Sequence, residues 1–599
     1  MASDSYDFVI IGGGAAGLVL ANRISEDPNL QVLVIEAGAD QKDDPRVNIP
    51  GMWSALIKTT SDWAFNTNPQ ESLGGRKLLS SQGRALGGST AMNGLMFTPV
   101  PESNVEGWAR LGNPGWEWAK FSQSMSKAYV LTDDTSEEND TTGTLTVSFP
   151  DQSNNGWLNI WKDTLNGLGI SVSSDIFTGK GNGLIVTPEN IQPRTKKRSY
   201  AQSAFLSPVL NRSNLAILTE AVVEKINWNR SDPTKARAES VQYVKDGERS
   251  NVAVRKEVVL AAGAFNSHRL LELSGIGSAE LLREMVIDVV VDNPGVGENL
   301  QNHLTVSVSF EVKDGSQTLD ALVRQEPAAL AAAMEAYGKG AGPLATSGTS
   351  VTAHLPFPGI QTDEGKKDLE QIIAQTFDAK VGGSKSSAIF DQANKDFVRS
   401  VLSSPDEASG YYIFFPGWGA FNPNGSMATA EGSSKYFTIG LLNTHPLSRG
   451  STHINSVSAS SHEAVTIDPK YLSHPLDIGI FTRNLRFLET IVGAEPLSSQ
   501  LKPGGKRNPL APLDGGFSDP DKAKEYAKKL GFGSNHFVGT CSMMPREMGG
   551  VVDPELRVYG TENLRICDSS IIPLIPRANP QAAVYGVAEH GASIIKSST

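Results

Sequence analysis

Two short stretches of this chain carry residue types at spacings suited to a phosphate-bearing ligand. Gly12-Gly13-Gly14-Ala15-Ala16-Gly17 fits the pattern G-x-G-x-x-G. In such a turn the first glycine makes the tight reversal and the second lets backbone N–H groups approach a pyrophosphate. The third allows a helix to pack closely on a strand. Glu36 stands 19 residues beyond Gly17, where a carboxylate can accept hydrogen bonds from a ribose diol. This motif does not separate FAD from NAD. The second stretch, Gly83 to Gly88 followed by Ser89-Thr90, can press backbone amides and hydroxyls against phosphates or a flat ring.

The elements that must position these turns can be read from hydrophobic patterning. Tyr6–Ile11 reads as a short buried strand, Ala15–Asp27 as a helix and Gln31–Glu36 as a second strand, which together make a βαβ unit of about 30 residues. Val258–Ala262 and Leu564–Asp568 read as further strands. Helices are expected from Gly263 to Gly275 and over Pro580–Lys596. The alternating segments Tyr411–Phe415 and Tyr436–Leu442 suggest an antiparallel sheet. The fold class expected is therefore α/β: a Rossmann-like nucleotide-binding domain with an inserted α+β domain built on an antiparallel sheet. The first is drawn from 1–100, 195–315 and 530–599, the second from 101–194 and 316–529. Phe414, Phe415, Trp418 and Phe421 read as ordinary sheet and core residues rather than as a pocket wall.

Composition narrows the function classes. The chain has 599 residues, with 53 Lys and Arg against 65 Asp and Glu, a net charge of −12. An acidic chain lacks the clustered cations that bind nucleic acid or anionic membrane, and neither is expected as a partner. Two cysteines, Cys541 and Cys567, exclude a disulfide scaffold and a four-thiolate zinc site, and no metal is expected. Both are expected to be buried free thiols. With no apolar leader and no run of about 18 uncharged apolar residues, the expectation is a cytoplasmic protein. Sequons at Asn139, Asn211, Asn229 and Asn424 keep a secreted protein with its leader removed as the alternative. Oligomeric state is not legible.

The stretch Gly83-Arg-Ala-Leu-Gly-Gly-Ser-Thr-Ala-Met-Asn93 resembles the first signature of the glucose–methanol–choline (GMC) flavoprotein oxidoreductases. Gly263-Ala-Phe-Asn-Ser-His-Arg-Leu-Leu-Glu-Leu-Ser-Gly-Ile-Gly277 is similar to the second, with His268 as a departure. Asp62-Trp63, Asn293–His303, Pro446–Gly450, Ile467–Leu472, His536–Met543 and Asn563–Asp568 match in the same order, so the resemblance spans almost the whole chain.

The resemblance implies a cofactor, FAD, held by Gly12, Gly14, Ala15, Ala16, Gly17, Glu36, Ala37, Trp63, Arg84, Gly88, Ser89, Asn93, Gly94, Val223, Asp568, Ala578 and Gln581. Met92 stands where members with a histidyl-linked flavin carry His, which implies non-covalent FAD. It further implies oxidation of a small-molecule alcohol: hydride passes to flavin N5, His536 takes the hydroxyl proton and Asn579 binds the substrate oxygen. Imidazole suits the first role because its ordinary pKa, about 6.5, lies near working pH. Asn579-Pro580 also reads as a helix N-cap followed by Pro at the first helical position, the two readings being compatible. The helix beyond would aim its positive end at the flavin. Asn535, before the catalytic His, departs from the aromatic residue of several aryl-alcohol members and suggests a more polar substrate. O2 or a quinone-like acceptor would reoxidise the flavin. A flavin-containing lyase or cyclase with no net redox is the alternative function.

Overall fold

The computed structural model describes residues 5–132, 144–150, 156–173, 176–232, 234–349, 351–379, 387–430, 432–513 and 515–598. The chain opens with β1 (Ser5–Ile11), α1 (Ala15–Ile24) and β2 (Val32–Ile35). It leaves this unit, forms β3 (Gly183–Val186), and returns through β4 (Leu215–Leu218), β5 (Ala221–Asn229), β6 (Arg237–Lys245) and the long β7 (Glu248–Leu260). After α2 (Ser267–Leu273) a second excursion contributes β8 (Leu304–Glu311), β9 (Val351–Leu355), β10 (Gly410–Phe415) and β11 (Tyr436–Asn443). It continues through α3 (Pro475–Gly493), α4 (Pro520–Leu530) and β12 (Phe532–Gly533). The chain then comes back once more with β13 (Leu564–Ile566) and α5 (Gln581–Ser597).

Two large sheets result. In the first, β4-β2-β1-β7 are parallel neighbours, and β13 adds in parallel to the end of β7. The other half of β7 pairs antiparallel with β6, and β6 with β5. The central strands are apolar on both faces because helices cover them. Val9, Ile10, Val34 and Leu260 are all buried beneath α1 and α5. α5 packs along α1, and Arg23 donates to Glu589 at 2.7 Å across that seam. The second sheet is wholly antiparallel in the order β12-β8-β11-β10-β9-β3. It buries Val306, Val308, Phe414 and Phe437 against α3 and the indole of Trp161. β8 pairs with β11 along its whole length. β8 thus joins the antiparallel sheet from Leu304 on, ahead of the expected boundary at 315, through backbone pairing with β12 and β11.

Local expectations meet the structure with small shifts. The first helix stops at Ile24, three residues early. Phe414 and Trp418 are core residues, and Phe421 stacks on Phe532 at 3.9 Å. Cys541 and Cys567 are free and buried. Asn211, Asn229 and Asn424 are exposed, and Asn139 lies outside the described residues. Among the described residues no helix is long and apolar enough to cross a membrane, and no group of His, Cys, Asp and Glu could hold a metal ion.

One charged pin fastens α2 to a two-stranded ribbon, Ser451–Ile454 paired with Val465–Asp468. His453 bonds Glu272 at 2.7 Å through Nδ1 and Glu298 at 3.3 Å through Nε2. Burial alone would lower the imidazole pKa, but hydrogen bonds to both carboxylates push it up to about 9. The folded state therefore binds this proton more tightly than the unfolded chain. The stabilisation is fully present below the ordinary value of 6.5 and is lost as pH rises through about 9. His453→Gln should lower the melting temperature most at pH 6, by an amount reflecting a few kcal/mol, and least near pH 10. Equal losses at both pH values would show that the pin is not ionic.

Candidate active site

A cleft open to solvent runs along the ends of the parallel strands. Its near end is the glycine turn between β1 and α1. Gly12, Gly14, Ala15 and Ala16 line it, while Gly17 does not. Gly17 acts instead behind the turn, where a Cβ would sit 1.9 Å from the Gly12 carbonyl oxygen, so the helix can approach the strand only with glycine there. The α1 N-terminus has no capping side chain and no acid in its first turn. Its free N–H groups therefore suit an anion. Glu36 ends β2 with its carboxylate accepting from Gly13 N–H and Gly38 N–H, each at 2.8 Å. Burial outweighs these bonds and raises its pKa to about 7. A carboxylate has lone pairs to spare beyond two N–H donors, so hydroxyls in the cleft can add to the same group.

The second glycine turn forms the facing wall. Gly88 has φ +54°, and a Cβ on it would lie 2.8 Å from Gly14 Cα. The two turns therefore touch backbone to backbone and leave a slot that side chains would fill. Ala37, Trp63, Ser89, Asn93, Gly94, Val223, Asp568 and Gln581 also line the cleft. Arg84 and Ala578 do not. The Arg84 guanidinium stacks on the Trp63 ring at 4.9 Å, and Ala578 packs against Met96, Tyr411 and Leu442. Asp568 is held by Ser267, Ser570 and Gly263 N–H and supports the loop after β7. Met92 is buried beside Val47, Leu56 and Tyr200 rather than in the cleft.

The far end holds His536 and Asn579, both lining the cleft. His536 follows β12, and its backbone N–H donates to Asn302 Oδ1 at 2.8 Å. Its Nδ1 lies 2.9 Å from Nδ1 of His303, whose Nε2 lies 3.1 Å from the Thr444 carbonyl. A carbonyl only accepts, so His303 carries its proton on Nε2. Burial keeps His303 neutral, with its pKa pushed down to about 4. Its Nδ1 is therefore an acceptor, and His536 must donate from Nδ1. That leaves His536 Nε2 with a bare lone pair. Burial, reinforced by His303, holds the His536 pKa well below the usual imidazole range, so the base form persists at neutral pH.

Asn579 faces that lone pair. Its Nδ2 is 3.2 Å from His536 Nε2, and its Oδ1 accepts from the Tyr411 hydroxyl at 2.8 Å. The side chain does not cap the following helix, as the sequence pattern suggested. α5 begins one residue later with Pro580 at the cap and no side-chain cap bond. Tyr411 fixes the amide so that its N–H groups point toward the histidine. Asn535 owes its identity to backbone geometry, since it has φ +60°, which Asn tolerates better than most residues. Its Oδ1 accepts from Ser81 N–H at 3.1 Å, which accounts for the amide without reference to substrate polarity. His303 and Tyr411 are the functional side chains that sequence reasoning missed. His303 ended a matching stretch, but no spacing tied it to residue 536, and Tyr411 read as one of several sheet aromatics.

The family model described as GMC oxidoreductase matches residues 6–305, and its C-terminal counterpart matches residues 446–588. The chain belongs to the GMC oxidoreductase family. A dehydrogenase of Monascus purpureus is 30% identical over 618 residues, covering 99% of this chain and 96% of the relative. An FAD-dependent oxidoreductase from Chaetomium thermophilum superposes with a TM-score of 0.85 at 26% identity, covering 99% of each chain. A fungal aryl-alcohol oxidase gives 0.83 at 26% identity, covering 100% of each. The protein is thus an FAD-dependent GMC oxidoreductase. The glycine slot, the uncapped α1 and the part-used Glu36 carboxylate are what such a dinucleotide requires.

Gly88→Ala tests that fit. The added methyl must displace either turn, so the variant should purify with at least tenfold less FAD per chain, read from flavin absorbance against protein. Alanine at φ +54° is strained with or without the cofactor, so the melting temperature should fall as well, and FAD content is therefore read on the folded fraction. Full FAD content would show that the slot is not where the cofactor binds.

Proposed function

We propose that this GMC oxidoreductase oxidises the CH–OH group of a primary or aryl or furanic alcohol to the carbonyl. His536 is the general base and Asn579 the group that holds the substrate oxygen. The observation that carries this reading is the ordered chain from the Thr444 carbonyl through His303 to His536, which leaves Nε2 unprotonated beside an amide donor. A hydroxyl bridging Nε2 and Asn579 Nδ2, in place of their direct 3.2 Å contact, would give its proton to the first and accept a hydrogen bond from the second. As the proton arrives, His536 becomes an imidazolium whose Nδ1–H still donates to His303, so the charge is met by an acceptor already in place. FAD, when bound, supplies the two-electron acceptor for the hydride leaving the carbinol carbon.

Several features support FAD held without a covalent bond by residues 12–17, 36–37, 63, 88–94, 223, 568 and 581. The position before Asn93 is a methionine packed away from the cleft. The α5 helix also brings its N-terminal end, with no acid in the first turn, to the same wall. In this reading the cofactor-binding part comprises 1–100, 195–303 and 530–599, and the substrate side comprises 101–194 and 304–529. Reoxidation by O2 or by a quinone-like acceptor completes the cycle. The aryl-alcohol oxidase and the dehydrogenase among the relatives span that choice.

Anaerobic mixing of holoenzyme with a panel of alcohols should bleach the oxidised-flavin absorbance, and admitting air should then release hydrogen peroxide if O2 is the acceptor. No bleaching with any alcohol would favour lyase or cyclase chemistry. His536→Ala should slow bleaching by roughly 10²–10⁴-fold. His303→Phe removes the acceptor that fixes the tautomer and should cost up to about 10⁴-fold in rate at unchanged FAD content. Because the His536 pKa is depressed, the wild-type rate should stay flat through neutral pH and fall only well below 6.5. A rate that climbs with pH through 6.5 to 8 would contradict a base held in this environment. Acid denaturation should release all of the flavin into solution.

A further inference from the structure

A buried cation lies directly behind the cleft wall and has no ionic partner. Arg198 is 2% exposed. It sits on a hairpin arm paired with Ile191, and its backbone N–H donates to Asn48. Its Nε donates to the Val47 carbonyl at 2.8 Å, and its Nη1 to the Thr90 carbonyl at 3.2 Å and to Asn93 Oδ1 at 2.8 Å. Nη2 has no partner. Among the described residues no carboxylate comes within ion-pair distance. Glu189, itself buried with Oε2 unpartnered, acts on Arg198 only through space. Leaving a guanidinium in such a place is costly unless something uses its field.

Asn93 transmits that field. Its Oδ1 is occupied by Arg198 and by Leu95 N–H at 3.0 Å, so its Nδ2 must point the other way and donates to Gln581 Oε1 at 2.8 Å. Gln581 Nε2 in turn donates to the Met96 carbonyl at 2.8 Å and to Asn190 Oδ1 at 3.2 Å. Every heavy atom of both amides is thereby assigned, and both side chains line the cleft. They lie at its reactive end: Gln581 is two residues from Asn579, which contacts His536.

We propose that Arg198 is a positioning residue that orients the Asn93–Gln581 amide pair and, through it, favours the reduced, negatively charged form of the bound flavin. The inference rests on the reading of this cleft as the FAD site. In the reaction the alcohol loses a hydride and a proton. The hydride adds two electrons and one hydrogen to the flavin, which gains one negative charge, and the proton goes to His536. A buried cation relayed by a polarised amide stabilises that added charge and leaves the neutral oxidised form almost unaffected. Burial lowers the Arg198 pKa to about 9, in keeping with a charge that has no partner before the flavin is reduced.

The test is the two-electron midpoint potential of FAD-loaded wild type, Arg198→Lys and Arg198→Met, titrated with a chemical reductant against a reference dye. Arg198→Met should lose at least tenfold in the reduction equilibrium constant, about 30 mV toward more negative potential. Arg198→Lys, which keeps the charge, should recover most of that loss. An Arg198→Met enzyme with full FAD and a wild-type potential would overturn the proposal. If that variant does not hold FAD, Asn93→Ser keeps the cation and cuts the relay. It should shift the potential the same way, and an unchanged value would overturn the proposal equally. The titration needs no alcohol, so it stands even if the proposed substrate class fails. A wild-type chain that takes up no FAD would overturn both readings.

Discussion

The hydrogen bond from His303 to the Thr444 carbonyl is the constraint on which the chemistry proposed for this molecule depends. A backbone carbonyl cannot donate, so one 3.1 Å contact settles the tautomer of His303 and, through it, that of His536. The sheet makes this arrangement almost unavoidable. β12, β8, β11 and β10 are consecutive neighbours, with Leu304 opposite Gly533 and Thr305 opposite Leu442. His303 is the residue before β8, Thr444 the residue after β11, and His536 lies three residues beyond β12. Tyr411, near the start of β10, is opposite Leu442. One end of four adjacent strands thus delivers His536, the proposed base, together with His303, the Thr444 carbonyl and the hydroxyl that turns Asn579. The antiparallel sheet is the scaffold of this histidine pair as much as a wall of the site.

The electrostatics of the site follow from exclusion of water. His536 and His303 are kept neutral chiefly by burial, whereas His453, which is part-exposed, is charged because two carboxylates surround it. The same side chain therefore serves as a base in one place and a structural cation in another, and the surroundings decide which. Arg198 is a third case, a cation met only by carbonyl and amide dipoles.

Much of this was legible in the residues. The βαβ unit, its glycine turn and Glu36 follow from spacing alone, because a short continuous apolar run, a fixed glycine pattern and an acid just after the next strand are local signals. Resemblance added the second glycine turn, His536 and Asn579. What stayed hidden depends on contacts between segments far apart in sequence. Nothing in a strand reading Gly-Tyr-Tyr-Ile-Phe-Phe separates Tyr411, which reaches Asn579, from Phe414, which stacks in the core at 3.9 Å from an indole. The role of Gly17 was read correctly in kind, helix-on-strand packing, but that role keeps it out of the cleft. Arg84 and Ala578 came from the resemblance, and their side chains pack on Trp63 and beside Tyr411 rather than lining the cleft. The amide of Asn535 invited a statement about substrate, whereas a left-handed backbone was its physical cause.

The weaving of the chain between two sheets has a consequence for how the molecule comes to be made. The Arg23–Glu589 contact joins residues 566 positions apart, and β13 completes the parallel sheet only after nearly the whole chain has been laid down. Until then β7 has an open edge, α1 has an uncovered apolar flank, and His536 has no Asn579 to face. Such long-range closure slows assembly and leaves sticky intermediates waiting. During synthesis the first 560 residues therefore precede a finished nucleotide fold, although every strand of the antiparallel sheet already lies within them. The segment that brings Asn579 to His536 is also the one that closes the parallel sheet.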